Sequence, residues 1–449
     1  MTLLIFTELR SHWRVWAGAF ILAVAAGFVL AIGASIADTG AELGGKFHSI
    51  LSGAAATILM FSGVGAIAVL GSVATLTVTL QQRSYALWQL IGARPSTVGI
   101  IVLLQLLIVS LLGAGVGVAA ARPAADPLFA LGFGTVPGLE GVPVHFGLAT
   151  VMSSMLGVCA IVLLGGWRAA RRAAFTPPLE VLRDAEPRLR RMRWFRWIFV
   201  TAAGSAAYGL SSSLFGAPLS QSGWQVPLIA PVLTILVVAL APLLYSAVLT
   251  AWTALVPARL SAAWFLARNQ ARYRLAYSTA AITPLLVGIS LSAGLYTAAA
   301  TLNDAYRIQE TGGTAALHSN EVALLLGGPI VLAAVAAAIV VFMSSRAHGH
   351  ELALLQASGA SHRTIILTAA LEAVIYVITA VILAFAVVVA SGVILAAGLS
   401  TAVPGTTATI DAAPGLIVAG IGCTFILLAA LVPTLVGLNR DVVHTLSSE

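Results

Sequence analysis

Along the chain, ten apolar runs of roughly 20 residues or more alternate with short polar stretches. A run of that length with almost no charge predicts a helix across a bilayer, because only a helix satisfies every backbone N–H and C=O of a single segment inside hydrocarbon. The runs are 15–36, 51–80, 98–121, 146–167, 197–215, 226–255, 278–302, 322–344, 364–399 and 414–436. Two stretches are amphipathic instead: 1–14, with Arg10, His12 and Arg14, and 257–277, with Arg259, Arg268, Arg272 and Arg274. Both predict helices lying along a membrane surface. Between runs the chain reads as loop at 37–50, in an outer segment holding Pro123, Pro127, Pro137 and Pro143, and at 303–321 with Asp304, Arg307 and Glu310.

Two polar junctions share one pattern. Residues 83–105 read RSYALWQLIGARPSTVGIIVLLQ, and 346–372 read RAHGHELALLQASGASHRTIILTAALE. In one register Ala86 aligns with Ala353, Leu87 with Leu354, Gln89 with Gln356, Gly92 with Gly359, Ala93 with Ala360 and Thr97 with Thr364. Each copy leaves a long apolar run, forms a short helix, breaks at Gly-Ala and enters the next run. A repeat this widely spaced is a statement about the whole architecture. It predicts an all-α polytopic membrane protein of ten transmembrane helices, arranged as four, two and four. The two sets of four are parallel copies about a pseudo-two-fold axis along the membrane normal. The domains expected are a first unit at 1–183, a basic linker with a two-span hairpin at 184–258, and a second unit at 259–449.

Composition agrees and adds direction. The chain has 449 residues, 59% hydrophobic and 9% charged, with a mean hydropathy of +1.01, too little charge to cover a soluble surface. Its net charge of +7 would suit nucleic acid, yet the basic residues flank the spans. Nine arginines fall between Arg168 and Arg196 alone. With the junction side cytoplasmic, 20 of the 23 Lys and Arg lie inside, leaving Lys46, Arg122 and Arg307 outside. That asymmetry predicts both termini in the cytoplasm, basic anchors for membrane lipids, and no nucleic-acid role. The first apolar run is too long for a cleavable signal peptide. Cys159 and Cys423 sit within apolar runs and read as packing residues rather than a disulfide or metal pair.

The short helix has a physical logic. Ala86, Leu87, Leu90 and Ile91 at helical spacing predict one apolar stripe, and Gly92 or Gly359 supplies the left-handed backbone that stops a helix abruptly. Such a helix at the junction of two spans is one a cytoplasmic partner can push, and its occurrence twice suits a two-fold partner. Gly40–Lys46 fits GxxxxGK, but Phe47 stands where a Mg²⁺-binding hydroxyl is needed, and Lys46 is the only lysine, so this chain carries no P-loop of its own. His348, His350 and Glu351 are too few and wrongly spaced for a metal site. An intramembrane acid such as Glu372 is a functional candidate because it is costly unless paired or hydrated.

These junctions resemble those of FtsX-like (MacB-type) ABC transporter permeases, whose cytoplasmic turn runs Arg-x-Glu, apolar residues, Gly-Ala and then a Glu inside the next span. The second copy matches at Glu351, Leu354, Gly359, Ala360 and Glu372. The first matches at Arg83, Leu87, Gly92 and Ala93, with Ser84 in place of the acid and Gln105 in place of the Glu. The run Pro178-Leu-Glu-Val-Leu-Arg183 is similar to that family's close of a permease unit. The resemblance covers nearly all the chain except the 197–255 hairpin. Ten spans with two fused units resembles the bacitracin-resistance and lipoprotein-release branch, although the loops at 37–50 and 303–321 are too short for that branch's large external domain. The resemblance implies a permease subunit without catalytic activity, one copy in the bacterial cell membrane bound to two copies of a separate ATPase that holds ATP and Mg²⁺. ATPase coupling would fall to Arg83, Ser84, Leu87, Leu90, Gly92 and Ala93 with Glu351, Leu354, Gly359 and Ala360, and the charge on Glu351 would make the second contact the stronger. Gln105 and Glu372 are the intramembrane polar candidates. The cargo implied is amphipathic or lipid-like, or the output is mechanical. An ion-coupled secondary transporter is the alternative; an intramembrane enzyme is disfavoured by the lack of a paired nucleophile and base.

Overall fold

A computed structural model describes residues 13–134, 136–175, 194–216, 225–257, 261–273, 275–309, 319–347, 356 and 359–438. Among these residues the secondary structure is helical, with no strand. The helices are α1 (Trp13–Leu43), α2 (Gly45–Leu80), α3 (Gln82–Leu90), α4 (Pro95–Phe133), α5 (Leu148–Phe175), α6 (Trp194–Leu214), α7 (Ile229–Ala239), α8 (Ala241–Leu255), α9 (Ala262–Tyr273), α10 (Leu275–Ile308), α11 (Ser319–Ala347), α12 (His362–Ser400) and α13 (Ala413–Leu438). Eight of them, α1, α2, α4, α5, α10, α11, α12 and α13, are long and apolar enough to cross a membrane. The protein is thus an α-helical polytopic membrane protein.

Several boundaries differ from those the sequence predicts. The 37–50 loop is almost wholly helix: α1 runs to Leu43, α2 starts at Gly45, and Gly44 and Gly45 (φ +64 and +55) turn the chain between them. Similarly α4 runs through Pro123 and Pro127 to Phe133, so the outer loop begins only there. Of the two middle runs, α6 is helical but less apolar than those eight, and 226–255 is a bent pair, with α7 and α8 meeting at 83°. The break falls at Leu240, where Pro242 at the head of α8 has no N–H to continue the ladder from α7.

Contacts divide the chain into two compact units, Met1–Arg188 with Ser319–Met343, and Leu189–His318 with Ser344–Glu449. This division departs from the sequence-based domains at one span, since most of α11 packs with the first unit. In that unit α1 is the hub, packed on α2, α4 and α5. Its closest crossing is with α4, where small residues let the backbones meet: a Cβ on Gly117 would lie 2.1 Å from the Val24 carbonyl oxygen, and one on Gly113 2.9 Å from that of Phe20. Farther along, Ile32, Ile36, Leu51, Ile58, Phe129 and Leu324 close a core in which Leu324 comes from α11. The outer loop is pinned to α1 by polar contacts. Thr39 Oγ1 accepts from the His145 amide at 2.9 Å, Glu42 pairs with His145 at 2.8 Å, and Asp38 accepts from the Thr150 hydroxyl.

In the second unit α10 is the hub, packed on α12, α13 and α7. One face carries polar residues at every second turn: Thr283, Ser290, Thr297 and Asp304. Thr283 donates to Tyr245 of α8 at 3.3 Å, and Ser290 bonds Thr234 of α7 at 2.9 Å. Thr297 accepts from the Asp411 amide at 3.2 Å, and Asp304 accepts both the amide and the hydroxyl of Thr407 at 3.1 Å. The 197–255 hairpin is therefore bound into this unit by hydrogen bonds inside apolar packing, where each bond has no water to replace it.

Candidate functional site

The first junction is built around Gln81. α2 ends at Leu80, Gln81 (φ −103°, ψ 4°) turns the chain, and α3 runs only to Leu90. It then stops in a Schellman arrangement: the Gly92 amide donates to Gln89 O and the Ala93 amide to Trp88 O, both at 3.0 Å, with Gly92 at φ +104. Arg94 is extended and Pro95 opens α4, which suits a proline whose missing N–H is an orphan there in any case.

One face of α3 is fixed to the bundle. Tyr85 and Ala86 are buried, and Gln89 Nε2 donates to the Ala174 carbonyl at the end of α5 at 3.0 Å. The Tyr85 hydroxyl donates to Gln81 Oε1 and lies 3.5 Å from Gln105 Oε1 on α4. Gln81 and Gln105 are buried as well, and their Nε2 groups, with Thr77 Oγ1 one turn back on α2, have no protein partner. Tyr85 therefore sits in a buried polar seam joining the end of α2, the short helix and α4. Such a seam has few alternative arrangements, because an amide pulled off its partner in the interior is costly.

The opposite face is apolar and uncovered, with Leu87, Leu90 and Ile91 at 47%, 53% and 87% exposure. This corrects the single stripe expected over Ala86, Leu87, Leu90 and Ile91. At 100° per residue Ala86 shares the buried side with Tyr85 and Gln89, whereas the other three turn away from the bundle. Ser84 lies on the same outward half and is partly exposed; Arg83 belongs to α3. Sequence reasoning missed Gln81 and Tyr85. The signal was present as Thr77, Gln81 and Tyr85 at four-residue spacing, a polar line emerging from an apolar span and leading toward Gln105.

At the second junction Gly359 takes φ +89, as Gly92 takes φ +104, and its amide donates to Gln356 O at 3.0 Å. Ala360 follows, and Ser361 caps α12, accepting from the Thr364 amide at 3.2 Å. Glu351 and Leu354, like His348 and His350, lie outside the described residues. Glu372 accepts from the Tyr376 hydroxyl one turn on, and Ser278 of α10 reaches that hydroxyl at 3.5 Å. Both intramembrane polar candidates thus meet a tyrosine hydroxyl, Gln105 from a neighbouring helix and Glu372 from its own. Cys159 and Cys423 are free, the former accepting from Ser110 at 3.7 Å.

Compared with known proteins, the chain matches no family model and no curated protein.

Proposed function

We propose that this chain is the permease subunit of an ABC transporter of the FtsX-like type, driven by a separate ATPase. The observation carrying the reading is α3: a short helix bound along one face to α2, α4 and α5, with Leu87, Leu90 and Ile91 presented outward. Three exposed apolar side chains beside a rigid turn form the kind of patch that a protein groove covers. The left-handed backbone shared by Gly92 and Gly359, together with the repeated sequence, supports a second such contact at 351–360. In this reading one chain engages two ATPase subunits, which bind ATP and Mg²⁺, and their closure presses both junctions and tilts the spans. The output is export or extraction of an amphipathic or lipid-like molecule, or mechanical work across the bacterial cell membrane. Counting α6 and the bent pair as one crossing each gives ten crossings with both termini cytoplasmic. The test is co-expression with an ATPase encoded beside this gene: the two should co-purify, and the chain should change the ATPase rate.

The bent pair α7–α8 favours a second reading, an ion-coupled secondary transporter, since broken helices beside polar groups form ion and substrate sites in that class. Thr234 of α7, well before the break, and Ser290 of α10 supply such groups. Gradient-driven uptake by the chain alone in liposomes, with no ATPase partner, would select this alternative.

Two predictions test the layout and the seam. Glu140→Cys and Arg94→Cys are both on exposed residues. In intact cells an impermeant maleimide should label the first and spare the second, and the reverse result overturns the proposed orientation. Tyr85→Phe removes one hydroxyl and little volume. It should leave ATPase co-purification unchanged but lower stimulation about threefold to tenfold, the scale of one buried hydrogen bond of roughly 0.5–1.5 kcal/mol. Equal loss of docking and stimulation would show that the seam only holds α3 in shape.

A further inference from the structure

The amphipathic helix α9 ends against the C-terminal turn of α8. Arg272 Nη2 donates to the Thr250 carbonyl at 2.9 Å and to Thr253 Oγ1 at 2.7 Å, and its Nε reaches the same hydroxyl at 3.2 Å. Arg272 thereby ties α9 to the last turns of α8 through one carbonyl and one hydroxyl, with its positive charge at the negative end of that helix. Arg268, one turn earlier, is held far less well. Among the described residues its one bond is from Nη1 to the Thr253 carbonyl at 3.4 Å, and its buried Nε has no partner there. Neither arginine has a carboxylate partner among the described residues. Burial and the neighbouring charge of Arg268 both push the Arg272 guanidinium below its ordinary range. Beside this pair Phe265 and Tyr273 of α9 are exposed, while Ala263, Trp264, Ala267 and Ala271 bury the other face, largely against α12.

Two like charges held together, with no carboxylate partner among the described residues, are unfavourable unless an anion joins them. α8 offers only neutral carbonyl and hydroxyl dipoles, and Arg272 already bonds the Thr250 carbonyl and the Thr253 hydroxyl. Arg268, held by one long bond, keeps guanidinium donors for a ligand, and the exposed aromatics provide an apolar bed next to it. We propose that Arg268 and Arg272 form a binding site for a phosphate group, contributed by the headgroup of an anionic phospholipid whose acyl chains lie over Phe265 and Tyr273. Guanidinium forks match phosphate oxygens in pairs, and an amphipathic helix carries its aromatics at headgroup depth. The lipid would complete the α8–α9 corner and fix the bent pair against α12. The site requires α9 to lie at a membrane surface and does not depend on the ATPase reading.

The test is native mass spectrometry of the intact chain released from nanodiscs containing equal phosphatidylglycerol and phosphatidylcholine. The wild type should retain phosphatidylglycerol selectively. Arg268→Gln should lower that retention about fivefold, the share of one arginine at an anionic surface. Arg307→Gln, at the end of α10 and away from α9, should leave retention unchanged. Phe265→Glu keeps both guanidiniums and their bonds to α8, places a carboxylate beside the site and should cut retention to a similar degree, so the proposal stays testable if Arg268→Gln fails to fold. Soluble glycerol phosphate is the competing arm. If it displaces the lipid at equal concentration, the phosphate site stands and the lipid assignment falls. Retention unaltered in both Arg268→Gln and Phe265→Glu would overturn the site and leave the arginines as ties to α8 alone.

Discussion

Leu90→Asp is expected to abolish both co-purification with the proposed ATPase partner and its stimulation, while the chain itself still folds. Leu90 is half exposed on the outward face of α3, so the substitution removes no core packing and leaves the Tyr85 seam and the bond from Gln89 to Ala174 in place. What changes is the surface offered to the partner. An unpaired carboxylate pressed into an apolar groove costs several kcal/mol, which is a loss of affinity of roughly a hundredfold or more. Leu90→Met, which keeps the apolar surface, should behave as wild type. An unaltered complex with Leu90→Asp would mean that the exposed leucines face lipid or solvent, and the coupling proposal would lose its main support. Docking at this junction should also resist salt, because the surface it presents is largely apolar and screening acts on charges.

Gly117→Val should unfold the first unit. No Cβ fits at Gly117, since it would sit 2.1 Å from Val24 O and 2.8 Å from Phe28 N, both of them backbone atoms of α1. Room for a side chain is made only by forcing α1 and α4 apart along their closest crossing. The expected cost is at least about 3 kcal/mol, the upper end for overpacking, because backbone cannot rotate away as a side chain can. Thermal unfolding in detergent, read by the yield of monodisperse protein after heating, is the check. Gly115→Val is the control on the same helix, where the nearest atom is Met155 Cε at 3.9 Å. Equal stability of the two variants would show that the α1–α4 crossing is looser than the structure has it.

Much of the architecture was legible because hydrocarbon permits few solutions. Apolar length alone predicted spans at α1, α2, α4, α5, α10, α11, α12 and α13, and each is present as a helix of membrane-crossing length. The glycines at 92 and 359 were legible for a similar reason, as few other residues take φ near +90°. The misreadings have physical causes. Polar residues at 37–50 resembled a loop, yet a helix that has left the bilayer tolerates Asp38, Glu42 and Lys46 on its surface. Pro123 and Pro127 resembled loop residues, but both lie inside α4, where the buried packing of Ala121, Ala125 and Phe129 offsets the bonds that proline removes. The 226–255 run contained enough apolar residues for one span, and hydropathy is blind to the bend that Pro242 helps to set. At the junction, the pattern showed that a short helix exists but not which side is buried. That depended on Tyr85 finding Gln81 and Gln105, a contact between separate helices that periodicity along one helix cannot express.

Because Leu324 closes the core formed by α1, α2 and α4, and Gly328 of α11 lies against Val29 and Ser62, the first unit is assembled from segments far apart in the chain. During synthesis α1, α2, α4 and α5 are made long before the ribosome reaches α11. Until then the α1–α2 surface around Val29 is without the helix that covers it. The last step in building the first unit therefore waits on translation of the second half, and a message truncated between the halves would yield a first unit left open for quality-control proteases to recognise.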